Sequence, residues 1–167
     1  VITVLPEPAS IENAYAFVKN YIWQIIENII YNLNLSLEGT SFKEAFLNLQ
    51  NNEHSTSYVE IFKKLYPHFK LLIDEVFHVL YARLTGIIVN QCKFQEDLEI
   101  SKSMQLICKK YFGINTVDLG DLNYEEALWR AARNKKMLDY HYQSCYFVKK
   151  IKALSLRTLN VLGYLGQ

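Results

Sequence analysis

Four histidines, three cysteines and adjacent acid pairs, Asp74-Glu75 and Glu125-Glu126 among them, are the residues of this 167-residue chain whose types suit catalysis or metal binding. Their spacing does not assemble them. His54, His68, His78 and His141 fall in different segments, with no HExxH, HxH or Cys/His cluster to hold a metal. His78 lies among apolar residues and reads as a packing histidine. Asp74-Glu75 and Glu125-Glu126 are sequence neighbours; on a helix such neighbours project about 100° apart and do not converge on one substrate atom. The Glu125-Glu126 pair fits the positive end of a helix instead. Neither a GxSxG nucleophile elbow nor a GxxxxGK[ST] phosphate loop is present. The expectation is a non-enzymatic chain with no catalytic residues, no metal site and no cofactor.

What remains is a chemistry of recognition. The stretch EEALWRAARNKKMLDYHY (Glu125–Tyr142) puts Arg130, Arg133, Lys135 and Lys136 beside Trp129 and two tyrosines. On a helix Trp129, Ala132, Lys136 and Tyr140 share a face, and Arg130, Arg133 and Met137 form the next stripe. Arginine and the large aromatics are the residues most enriched where interfaces concentrate their binding energy, and a guanidinium can stack on an aromatic ring. The competing reading makes Trp129 a core anchor with the cations solvated around it. A second basic group, Lys149, Lys150, Lys152 and Arg157, follows. If the last two helices form a hairpin, the groups share a positive patch of up to eight charges, suited to an acidic protein, anionic lipid or nucleic acid.

Charge is distributed to match. Residues 1–90 carry six Lys/Arg against nine Asp/Glu, whereas residues 121–167 carry eight against four. The net charge is only +1, which argues against nucleic acid as the partner without excluding it. The odd number of cysteines, Cys92, Cys108 and Cys145, forms no disulfide framework and no CxxC pair. A reducing, cytoplasmic location is expected. No stretch approaches the ~18 consecutive apolar residues of a membrane span. The chain opens without Met and stops in VLGYLGQ, and is read as a fragment of a longer protein.

The elements that must position these residues read as helices. Half the residues are hydrophobic, and glycine and proline together number nine, a composition favouring long helices. Residues 1–9 form an extended lead-in around Pro6 and Pro8, and residues 10–167 a single helical domain. Val18, Tyr21, Ile22, Ile25, Ile26, Ile29 and Ile30 define the stripe of a first helix, which asparagines and Gly39 end. Ser41 with Glu44, and Ser57 with Glu60, read as capping boxes opening short helices, the second stopped by Pro67. Phe69 to Ile88 keeps three- and four-residue apolar spacing for about six turns. A helix over Gln95–Phe112 ends at Gly113. INTVDLGDLN is a turn-rich connector, and Asn123 with Glu126 caps the helix carrying Trp129. A last helix spans Ser144 to Leu165. The fold class expected is all-α, a single compact domain of six to seven helices.

Three of these segments resemble RUN domains. AARNKKMLDY (Ala131–Tyr140) is similar to the family's late block, a helix with an alanine, two basic residues, Met or Leu, and an acid-Tyr ending. ALSLRTLNVLGYLG (Ala153–Gly166) resembles its closing helix, and HVLYARL (His78–Leu84) an earlier Leu-rich block. Ala82-Arg83-Leu84 stands where that block usually ends His-Gly-Leu. The resemblance implies an all-helical, non-enzymatic adaptor or effector in membrane traffic that binds small GTPases of the Rab and Rap kind or motor components. On matching positions it implies partner contacts at Arg133, Lys135 and Lys136. The partner-binding set expected is Trp129, Arg130, Arg133, Lys135, Lys136, Tyr140 and Lys149. The alternatives are a structural helical subunit of a larger assembly, and nucleic-acid binding through the basic C-terminal helices.

Overall fold

Helices dominate, but a three-stranded sheet runs through the chain and corrects the all-α expectation. The computed structural model describes residues 1–52, 56–135, 146–161 and 163. The order is β1 (Ile2–Val4), α1 (Pro8–Asn32), α2 (Ser36–Asn52), α3 (Tyr58–Leu65), α4 (Lys70–Ala82) and β2 (Thr85–Cys92). A 3₁₀ turn (Glu96–Leu98), α5 (Glu99–Ile107) and a π turn (Cys108–Phe112) lead to β3 (Thr116–Asn123), α6 (Glu126–Arg133) and α7 (Tyr146–Val161). That makes seven α-helices among the described residues.

The strands lie in the order β1-β2-β3. β1 pairs parallel to β2 with Ile2 against Ile87 and Val4 against Val89. Parallel neighbours need long crossovers, and helices α1–α4 and α5 with its π turn supply them. Two expectations therefore change. The lead-in contains an edge strand, and Pro8, with its fixed φ, opens α1 instead of delaying it. The six-turn helix over Phe69–Ile88 divides into α4 and β2, because Ile87 and Ile88 continue the helical spacing while belonging to a strand, with Leu84 in the connection between the two. INTVDLGDLN holds β3.

The described residues gather into two compact units, Asn13–Thr85 with Met104–Thr116, and Val1–Glu12 with Gly86–Ser103 and Val117–Gln167. The first has an aromatic core. Phe42, Phe46, Tyr58 and Phe62 are fully buried, and the Phe46 ring stands edge-on 4.9 Å from both Trp23 and Tyr58. Of the α1 stripe, Val18, Ile22, Ile25, Ile26 and Ile29 are buried, while Tyr21 and Ile30 are half-buried. α1 ends where Asn34 turns left-handed, its N–H reaching Tyr31 O and that of Leu35 reaching Ile30 O. Gly39 does not end this helix. It lies inside α2, where a Cβ would stand 2.6 Å from Ile30 Cγ2, so its bareness lets two helices approach.

Ser41 is likewise internal to α2, its hydroxyl donating to Leu37 O at 3.2 Å instead of capping a helix start. The Ser57–Glu60 capping box is present in both directions. α3 stops at Leu65, before Pro67, and Gly113 takes φ 74° after the π turn. His78 is 79% exposed on α4, beside Glu75, and is not a packing residue.

In the other unit Ile2, Val4, Ile87, Val89, Leu119 and Leu122 bury the sheet. Ala131 of α6 and Val148 of α7 are also buried there. This sheet and its last two helices position the candidate site.

Candidate functional site

β2 and β3 end at Cys92 and Asn123. At those carboxyl ends lies an open groove of about 360 Å³. Asn90 and Gln91 contribute from β2, and Asn123, Tyr124 and Glu125 from β3 and its exit turn. Leu128, Trp129 and Ala132 of α6 and Phe147 of α7 supply the apolar wall. The carboxyl edge of parallel strands is where open α/β sheets leave room for ligands, because the chain turns away there in both directions.

The turn into α6 does not follow the expected capping. Asn123 closes β3, and Glu125 occupies the cap position with no side-chain hydrogen bond to its own helix. Its carboxylate accepts the Phe147 N–H at 3.0 Å, serving the start of α7. A carboxylate there answers unpaired N–H groups and the positive helix end. Glu126 pairs with Arg130 one turn on, at 3.0 Å.

Trp129 is 56% exposed, which removes the reading of it as a core anchor. The Arg133 guanidinium lies 5.0 Å from its ring centre, the stacking that four-residue spacing permits. Lys135 follows at φ 52°, in the left-handed region, past the helix end. Lys149 is exposed on the first turn of α7. Lys136 and Tyr140 lie outside the described residues, as do His54, His141 and Cys145.

The positive patch is smaller than eight free charges. Besides Arg130, Lys150 is engaged, bonding Asp121 Oδ2 at 2.5 Å with its ammonium 5.6 Å from the Tyr146 ring. Burial pulls the Lys150 pKa down, but the hydrogen bond and charge of Asp121, together with Tyr146, outweigh it and raise the value. At the other side of the groove Lys93 stands 5.2 Å from the Tyr124 ring centre.

Comparison with family models, with curated proteins and with solved structures returned no match.

Cys92 and Cys108 are buried. Burial pushes the Cys108 thiol up to about 11 and raises that of Cys92, to which Asp121 and Asp97 add; neither is a thiolate nucleophile at neutral pH. No metal-binding group of three His, Cys, Asp or Glu occurs among the described residues. No described helix is long and apolar enough to cross a membrane. A second open groove, about 530 Å³, lies between α3 and the π turn, where Glu60 is already committed to its capping box. The first groove is lined by aromatic rings, amides, apolar side chains and the Glu125 carboxylate, and the Lys93 and Arg133 cations stand over two of its rings.

Of the residues singled out from the sequence, Trp129 lines the groove; Asn90, Gln91, Asn123, Tyr124, Leu128 and Phe147 line it too and were not among them. The available signal was the strands. IIVN carries an apolar run into an asparagine and VDLGDLN ends in one, and two parallel strands ending together would have brought those amides near each other.

Proposed function

We propose that the chain is a non-enzymatic protein-interaction module, an adaptor or effector domain of the cytoplasm, that binds an acidic protein surface through α6 and the residues around it. A small GTPase in membrane traffic is the partner class the RUN resemblance implies. The observation that carries the reading is the exposed Trp129 with Arg133 stacked on it. A tryptophan left in water forgoes its large burial energy, which a partner restores, and an arginine held on the ring is already ordered for a carboxylate. Arg133, Lys135 and Lys149 supply the attraction; the Trp129 ring supplies the buried anchor.

The test is equilibrium binding to small GTPases, each loaded with GDP or a GTP analogue, with single- and double-stranded oligonucleotides in the same buffer. Selective binding in one nucleotide state supports the proposal. Binding to oligonucleotides alone, falling steeply with salt, replaces it with the nucleic-acid reading.

A second reading, a structural subunit of a larger assembly, has its own observation. Ile151, Leu156 and Leu159 of α7 are exposed, and such apolar residues suit neighbouring subunits. Concentration-dependent self-association without GTPase binding would favour it.

A further inference from the structure

We propose that the groove at the carboxyl ends of β2 and β3 is a docking site for a short extended segment of the partner, carrying an apolar side chain flanked by carboxylates. The inference rests on reading α6 as a recognition face and narrows that face to a peptide-binding groove.

Three features of the groove set the occupant's chemistry. Its wall is apolar, formed by Leu128, Ala132 and Phe147 and edged by the exposed Trp129 and Tyr124 rings. About 360 Å³ lies near the lower end of the roughly 300–1,000 Å³ of ligand pockets. That suits one large side chain with its adjoining backbone, not a helix or a folded surface.

The opposite side offers amides. The Gln91 and Asn123 side chains have no hydrogen bond among the described residues, and Asn90 uses its Oδ1 on the Gln91 N–H, at 2.9 Å. A primary amide presents donors and an acceptor together, the complement of a peptide group. Gln91 holds φ 61°, a left-handed conformation unusual for a residue other than glycine, and such strain gathers where a side chain must be aimed.

The third feature is charge. Lys93 stands over Tyr124 and Arg133 over Trp129, so a cation accompanies each exposed ring. Neither forms a contact ion pair with a carboxylate among the described residues, in contrast to Arg130 and Lys150, although Asp97 lies close enough to Lys93 for their charges to interact. An apolar anchor seated between the rings therefore brings its neighbouring residues to two cations, and carboxylates on both sides complement them. Glu125 keeps its charge in the groove, with its carboxylate turned to the Phe147 N–H at the start of α7, so the flanking acids belong at the Arg133 and Lys93 ends and not beside it.

The experiment is selection of short random peptides, displayed on phage, against the whole chain. Recovered sequences are synthesised with a fluorophore and titrated against the chain and its Ala132→Glu and Trp129→Ala variants by polarisation. Ala132 is exposed, so a glutamate there narrows the groove without entering a core. The proposal expects acid-flanked apolar sequences, with affinity reduced about tenfold or more by each variant and thermal unfolding unchanged. Recovery of no peptide, of peptides without flanking acids, or of peptides indifferent to Ala132→Glu overturns it. A GTPase that binds the wild type and Ala132→Glu equally, yet loses affinity for Arg133→Glu, overturns the groove while leaving the recognition face standing.

Discussion

The Arg133 guanidinium lies 5.0 Å from the centre of the Trp129 ring, one turn away along α6, and both side chains face water. Exposed cation–π pairs are worth about 0.5–1 kcal/mol. Trp129→Ala and Arg133→Ala, alone and combined, should therefore show a coupling of about that size in urea unfolding. Total loss of stability should stay small, as for other exposed sites. A cost near that of a core tryptophan, roughly 3–5 kcal/mol, would mean that the ring is structural.

Lys150 and Asp121 tie α7 to β3, each side chain 27% exposed. Lys150→Met keeps the stem and removes the charge, and should cost about 1–2 kcal/mol at neutral pH. The folded-state pKa of Lys150 is raised, so the folded chain holds this proton more tightly than the unfolded chain does. Its contribution is complete below the ordinary lysine range and is lost as pH rises through the raised value. Urea midpoints of wild type and variant should differ at neutral pH and converge in strong alkali.

The Asp97 carboxylate accepts the N–H groups of Phe94 and Lys93, at 3.0 and 2.7 Å, and these bonds hold its pKa below the usual range. The sign is opposite to that of Lys150. The stabilisation is present above the ordinary carboxylate value and is lost as pH falls through the depressed one. Asp97→Asn should lower the melting temperature at neutral pH, and the gap from wild type should close in acid. A gap independent of pH would show that the charge is irrelevant.

Gly86 sits at the start of β2, where an added Cβ would meet Leu119 Cγ of β3 at 2.8 Å. Gly86→Ala should cost about 1–3 kcal/mol through overpacking, and the double variant with Leu119→Ala should recover part of it. Equal loss in the single and double variants would place the strain elsewhere.

The sequence disclosed helices far better than strands, for identifiable reasons. The α1 stripe, the Ser57–Glu60 box and Gly113 are local signals, each readable within a few residues. β2 buries Gly86, Ile87, Val89 and Cys92 without strict alternation and β3 buries only Leu119 and Leu122, so neither shows the period of two that marks a half-buried strand. In β2 the β-branched run Ile87-Ile88-Val89 also followed Leu80 and Leu84 at helical spacing, so a strand counted as extra turns. In β3 Asp118, Gly120 and Asp121 looked like loop chemistry. Half of the candidate site was hidden with these strands. Trp129 and Arg133 were visible because four-residue spacing brings them together, whereas Gln91 and Asn123 meet only through strand pairing.

The most direct measurement of the central claim is the affinity of the chain, and of its Arg133→Glu/Lys135→Glu double variant, for the panel of nucleotide-loaded small GTPases. Thermal unfolding would be recorded on the same samples. The account predicts that the wild type binds a member in one nucleotide state, and that the variant binds it about tenfold or more weakly at an unchanged melting temperature. Failure of the wild type to bind any member, equal binding by the variant, or an unfolded variant would contradict it.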